Sequence, residues 1–134
     1  MGSYFLYAED DRDDAYFFRD ILRTQKQMNE VAYVANGYDL LQYLQQIKLN
    51  AAYPCLIIMD LKLPRLNGID TLQLLKTDDI YRLIPVVILS SNISPADEDT
   101  CRQLGAEVLV KPDNHVQWNK VLLRLQSYSD DECK

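Results

Sequence analysis

The chain lacks a paired cysteine motif, a basic patch, a long apolar run and more than a single histidine. Cys55, Cys101 and Cys133 are odd in number and show no CxxC spacing, so neither a disulfide framework nor a zinc site is indicated. Cys55 opens an apolar run and reads as a small core residue. The sole histidine, His115, stands at the start of the last helical stretch and reads as a surface residue. No segment approaches the roughly 18 consecutive apolar residues of a membrane span. The N-terminus reaches an acidic cluster too early for a signal peptide, so a cytoplasmic, reduced location is the expectation. With a net charge of -6 and no cluster of Lys and Arg, the chain has no surface suited to reading nucleic acid or binding an anionic membrane. Linkers and low-complexity tracts are also missing.

What is present is an ordinary globular composition, 48% hydrophobic and 25% charged, over 134 residues. That length suits one domain with one core. The core is expected over about 3–126, with the polar, acidic stretch 127–134 as a flexible tail. Short apolar runs alternate with longer stretches of helical period, the pattern of a parallel sheet covered on both faces. Strands are predicted at Tyr4 to Ala8, Val31 to Ala35, Leu56 to Met59, Val86 to Leu89 and Val108 to Val110. The second is the most amphipathic and is expected at an edge. Helices are predicted at Asp11 to Thr24, Tyr38 to Lys48, Ile69 to Thr77 and Pro95 to Leu104. A last one carries the stripe Trp118, Val121, Leu122, Leu125. Gly105 reads as a helix stop and Asn92-Ile93-Ser94-Pro95 as a cap followed by proline in the first turn. Such βα units with right-handed crossovers predict a five-stranded doubly wound parallel sheet in the flavodoxin-like order 2-1-3-4-5.

In such sheets the functional site lies beyond the carboxyl ends of the strands, and there the sequence places its chemistry. The first predicted strand runs into Glu9-Asp10-Asp11, the third into Asp60, the fourth into Ser90-Ser91 and the fifth into Lys111-Pro112. Glu9, Asp10 and Asp60 would converge on adjacent central strands. Two carboxylates at ~4 Å repel by about 4 kcal/mol at an effective dielectric near 20, which a divalent cation relieves. Oxygen ligands with positions left open for water and phosphate suit Mg2+. Asp60 is then a candidate nucleophile toward phosphorus, with Lys111 and the Ser90 hydroxyl as partners for the phosphoryl oxygens. Pro64 and Gly68 shape the loop that leaves Asp60. Each feature alone has an ordinary explanation: a turn-forming Asp, a solvated helix start, a loop serine, a loop lysine. Their joint occurrence at successive strand ends does not.

Tyr7-Ala8-Glu9-Asp10-Asp11, Ile58-Met59-Asp60-Leu61-Lys62-Leu63-Pro64-Arg65-Leu66-Asn67-Gly68, Val87-Ile88-Leu89-Ser90-Ser91, Gly105-Ala106 and Val110-Lys111-Pro112 occur in that order. In this ordered set the chain resembles the receiver domains of two-component response regulators over essentially its whole length. The resemblance implies that Asp60 accepts phosphate from a sensor histidine kinase or phosphotransfer protein. It implies that Glu9, Asp10, Asp60 and the Lys62 backbone carbonyl hold Mg2+. Ser90 matches the hydroxyl switch and Lys111 the phosphate-contacting lysine, with a cis bond before Pro112. Lys62 and Asn92 match positions that tune dephosphorylation. A narrower similarity is to small regulators that accompany phytochrome-type kinases.

Two positions depart from the family pattern. The aromatic switch position, three residues before the lysine, is Val108, so output is expected through loop repacking or dimerisation. The first acid is Glu9 where Asp is commoner, which lengthens the reach to a metal. A stand-alone phosphorelay signalling protein rather than an enzyme is expected, with a homodimer possible. Two competing readings are a pseudo-receiver interaction module and an aspartate-nucleophile phosphohydrolase. The retained acids, Ser90 and Lys111 argue against the first. Lys62 stands where the second would need another acid.

Overall fold

Residues rich in Val, Ile and Leu cannot leave both faces of a strand in water, and the short apolar runs here are stacked side by side beneath helices. The computed structural model describes residues 4–24, 30–47 and 52–132. Its strands are β1 (Phe5–Ala8), β2 (Val31–Val34), β3 (Leu56–Met59), β4 (Val86–Ser90) and β5 (Glu107–Val110). All pairings are parallel, in the order β2-β1-β3-β4-β5. β1, β3 and β4 are buried along their whole length, whereas β2 is half-buried throughout, as its more polar sequence predicts for an edge.

Five helices cover the sheet: α1 (Arg12–Thr24), α2 (Gly37–Gln46), α3 (Gly68–Thr77), α4 (Pro95–Gln103) and α5 (His115–Glu132). Strand alternation divides the core in two. Leu6, Ala8, Ile57, Met59 and Ile88 face α2, α3 and α4 through Leu40, Leu44, Leu72, Leu75 and Cys101. Phe5, Tyr7, Leu56, Ile58, Val87 and Leu89 face α1 and α5 through Phe18, Ile21, Trp118, Leu122 and Leu125. Cys55 and Cys101 are buried and are not joined by a disulfide.

Caps set several helix starts. Asn36, Asn67 and Ser94 each accept a hydrogen bond from the backbone N–H three residues on, and Pro95 fills the first turn of α4. Gly105 ends α4 with φ of 92°, a left-handed conformation suited to glycine. A 3-10 turn at Tyr81–Leu83 was not predicted from the periodicity.

Three expectations need revision. α5 continues to Glu132, past the boundary expected near 126. Its extension is held by Tyr128, whose hydroxyl donates to Glu107 Oε1 at 2.6 Å and whose ring lies 5.1 Å beneath the Arg124 guanidinium. Arg124 in turn grips Glu107 through both carboxylate oxygens. These polar and aromatic contacts carry no apolar stripe, which is why periodicity did not reveal them. Second, the Lys111–Pro112 bond is trans rather than cis, the isomer ordinarily preferred by about 0.5–1 kcal/mol. Third, α2 starts one residue before Tyr38 and ends at Gln46. The predicted end at Lys48 lies outside the described residues, as do Cys133, residues 3, 25–29 and 48–51 of the predicted core, and residues 133 and 134 of the predicted tail. His115 does begin α5, but its side chain is outside what the structure describes. No described helix is long and apolar enough to cross a membrane.

Candidate functional site

The parallel register brings the carboxyl ends of β1 and β3 level, since Ala8 pairs with Met59. The next residues, Glu9 and Asp60, therefore leave the sheet side by side, and Asp60 N–H donates to the Ala8 carbonyl at 3.2 Å. Lys111 follows β5, and its backbone N–H donates to the Ser90 carbonyl at 2.8 Å. Glu9, Asp60 and Lys111 each lie two residues after a side chain packed on the α1/α5 face, namely Tyr7, Ile58 and Leu109. Strand alternation thus aims all three to the same side.

Their side chains meet. Lys111 Nζ lies 2.6 Å from Glu9 Oε1, 3.0 Å from Asp60 Oδ2 and 2.9 Å from Asp14 Oδ2. The lysine and glutamate side chains are only 9% and 1% exposed, so the ion pair is shielded from water. Burial drives the lysine pKa down, but its hydrogen bonds to Glu9, Asp14 and Asp60 outweigh this and raise it, keeping the ammonium charged. Burial pushes the Glu9 carboxyl up, with Lys111 opposing and the Asp60 charge adding to the rise. Beneath them the Tyr7 hydroxyl donates to Glu9 Oε1 at 3.3 Å. Burial, with the Glu9 charge next, raises the phenol well above its ordinary value.

The other expected residues occupy different places. Asp10 is exposed, and Asp11 caps α1 by accepting from the N–H groups of Asp13 and Asp14. Lys62 is exposed, and its backbone N–H donates to Asp60 Oδ1 at 3.2 Å. Ser90 is buried, with its hydroxyl donating to the Asn92 carbonyl at 3.3 Å. Val108, at the position where the family carries an aromatic, is buried in the sheet. Among the described residues no group of three or more acidic, histidine or cysteine side chains is gathered at metal-ligand spacing. The Lys111 ammonium stands between the carboxylates instead.

The loop from Asp60 to Gly68 is tightly constrained. Arg65 adopts a left-handed φ of 65°, and its guanidinium stacks 4.4 Å over the Tyr38 ring beside Asp39. A Cβ on Gly68 would meet Leu61 Cα at 2.8 Å and the Asp60 carbonyl oxygen at 2.9 Å. Only glycine permits that approach.

Asp14 and Tyr7 escaped the sequence reading, although both left a signal. Asp14 lies one helical turn beyond Asp10, and Tyr7 shares strand parity with Glu9. When ionised, Glu9, Asp14 and Asp60 bring three negative charges against the single ammonium of Lys111. A surplus of hard carboxylate oxygen is a donor set that suits a divalent cation.

The family's sequence pattern, that of the response regulator receiver domain, matches residues 5–121. The chain belongs to that family. It is 30% identical over 105 residues to the polar-differentiation response regulator DivK of Brucella anthropi, spanning 78% of this chain and 80% of that protein. The crystal structure of a phosphorylated cyanobacterial phytochrome response regulator, RcpA, superposes with a TM-score of 0.81 at 27% identity, covering 96% of this chain and 94% of that one. The Mn2+-bound form of the response regulator Rcp1 superposes with a TM-score of 0.80, also at 27% identity, over 92% and 91% of the two chains.

Proposed function

We propose that Asp60 accepts a phosphoryl group from a phosphohistidine on a sensor histidine kinase or phosphotransfer protein, and that the acyl phosphate alters which proteins the domain binds. The observation that carries this reading is the 3.0 Å contact of Asp60 with the charged, shielded Lys111, with Glu9 on the same ammonium. Similarity to a phosphorylated phytochrome regulator supports it.

The carboxylate oxygen of Asp60 attacks phosphorus in line with the P–N bond. An O–P bond forms as the P–N bond breaks, and its electron pair returns to the imidazole nitrogen, which takes up a proton. Lys111, 3.0 Å from the Asp60 carboxylate, would contact the phosphoryl oxygens that take over its charge. Ser90, turned from the Asn92 carbonyl, can donate to a phosphoryl oxygen, and that turn would release the loop leading to α4. With Val108 in place of an aromatic, this loop and a second copy of the domain are the proposed routes of output. Glu9, Asp10, Asp60 and the Lys62 carbonyl would hold Mg2+, which when bound neutralises charge on the phosphoryl oxygens. Similarity to Rcp1, known in an Mn2+-bound form, supports a divalent ion as a ligand of this domain. A cytoplasmic phosphorelay signalling protein is the proposed context, and the similarity to the response regulator DivK supports the signalling role.

Beryllofluoride with Mg2+ tests the reading. Amide shifts centred on Asp60, Ser90 and Lys111 are expected, together with acetyl phosphate labelling that Asp60→Asn abolishes. A protein that responds to neither reagent would be an interaction module without phosphotransfer.

A further inference from the structure

We propose that Asp14 is a positioning residue that withholds the Lys111 ammonium from the phosphoryl group, so that it sets the rate and lifetime of phosphorylation. The inference rests on the reading of Asp60 as phosphoacceptor. An ammonium has three N–H donors, and here all are engaged, by Glu9, Asp14 and Asp60. None is left over for an incoming phosphoryl oxygen.

The three acceptors are not equally easy to release. Glu9 is fully shielded and has the shortest contact, so losing the ammonium would strand a buried charge. Asp60 passes its charge to the phosphoryl oxygens, which then need the ammonium more. The Asp14 side chain is 40% exposed, and water can replace the lysine there. Asp14 is therefore the acceptor that competes with the phosphoryl group for the third N–H. It is fixed in that position because Asp11 caps the first turn of α1 through the Asp13 and Asp14 N–H groups. Its negative charge also opposes the approach of an anionic phosphodonor. Removal of Asp14 should assist phosphorylation through both effects.

The test uses the full chain at saturating Mg2+ with acetyl phosphate, comparing wild type, Asp14→Ala and Asp14→Glu. Asp14→Ala is expected to label about two- to fivefold faster and to lose phosphate more slowly by a similar factor, as befits a partly exposed charge. Asp14→Glu should return both values toward wild type. In the unphosphorylated protein, the 15N resonance of the Lys111 side chain should shift in Asp14→Ala. Unchanged or slower labelling of Asp14→Ala beside a labelled wild type would overturn the proposal. A wild type that takes no label would instead overturn the phosphoacceptor reading. In that case the Lys111 resonance alone decides whether Asp14 holds the ammonium, and an unmoved resonance refutes it.

Discussion

Lys111 Nζ stands 2.6 Å from Glu9 Oε1 although the two residues are 102 positions apart in sequence. The contact joins the ends of β1 and β5, strands that are not neighbours in the sheet. It explains how a carboxylate with a 1% exposed side chain is tolerated at all. A buried charge persists when it is paired and hydrogen-bonded.

Removing the ammonium should expose that dependence. Lys111→Met is expected to cost about 2–4 kcal/mol at neutral pH, because Glu9 would be left ionised without a partner. The loss should be smaller in acid, below the raised pKa of Glu9, where the carboxyl takes up a proton. Urea unfolding at both pH values measures it, and equal losses would contradict the pairing.

Glu9 itself carries a pH signature. Burial raises its pKa above the ordinary 4.5. The folded state therefore favours the protonated form, so the stability contributed by this group is complete below the ordinary value and is lost as pH rises through the raised one. Glu9→Gln mimics the neutral acid. Its stability relative to wild type should increase as pH rises through that window, and a flat difference would argue against the shift. Affinity for Mg2+, read by calorimetry, should rise over the same window because a ligand carboxylate must be deprotonated.

Gly68 and Gly105 offer a paired test of the Asp60 loop. Gly68→Ala forces its new methyl into the backbone of Asp60 and Leu61, so a loss of about 1–3 kcal/mol is expected, with labelling of Asp60 sharply reduced. Gly105→Ala meets no atom within 4 Å and is strained only by its φ. It should cost about 1 kcal/mol and leave labelling intact. Thermal melts with acetyl phosphate labelling separate the two, and equal labelling in both variants would deny the loop its positioning role.

Trp118 packs against Phe17 and Phe18 on the α1/α5 face. Its indole Nε1 is buried with no hydrogen-bond partner. Trp118→Phe therefore forfeits volume but no hydrogen bond, and about 1–2 kcal/mol is expected against about 3–5 for Trp118→Ala. Denaturant titration of the two variants checks this. Comparable losses would mean that the indole nitrogen matters in a way the packing does not show.

Much of this architecture is legible from local pattern. Doubly buried strands must be apolar throughout, so Leu56 to Met59 is legible to the residue, and the more amphipathic Val31 to Ala35 reads as an edge, where the strand ends at Val34. Glu107 was missed as the start of β5 because its charge interrupts the apolar run. Arg124 and Tyr128 neutralise and cover that charge, and both lie in α5. The Glu9-Asp10-Asp11 cluster divides into three roles: Glu9 faces the lysine, Asp10 is exposed and Asp11 caps a helix. Composition treats three adjacent acids alike, whereas the turn from strand to helix sends each in a different direction.

The sequence by itself determined the order of strands and helices and which strand ends bear acid, hydroxyl and ammonium. Both follow from periodicity and from the rule that charge cannot continue into a doubly buried strand. Only the tertiary structure decided that Lys111 binds Glu9, Asp14 and Asp60 together, that Asp10 stands apart, and that Ser90 is tied to Asn92. Those outcomes depend on register, twist and helix rotation, and each displaces a charged group by a few ångströms. At these separations, in a site shielded from water, that displacement separates a bonded ion pair from an exposed charge.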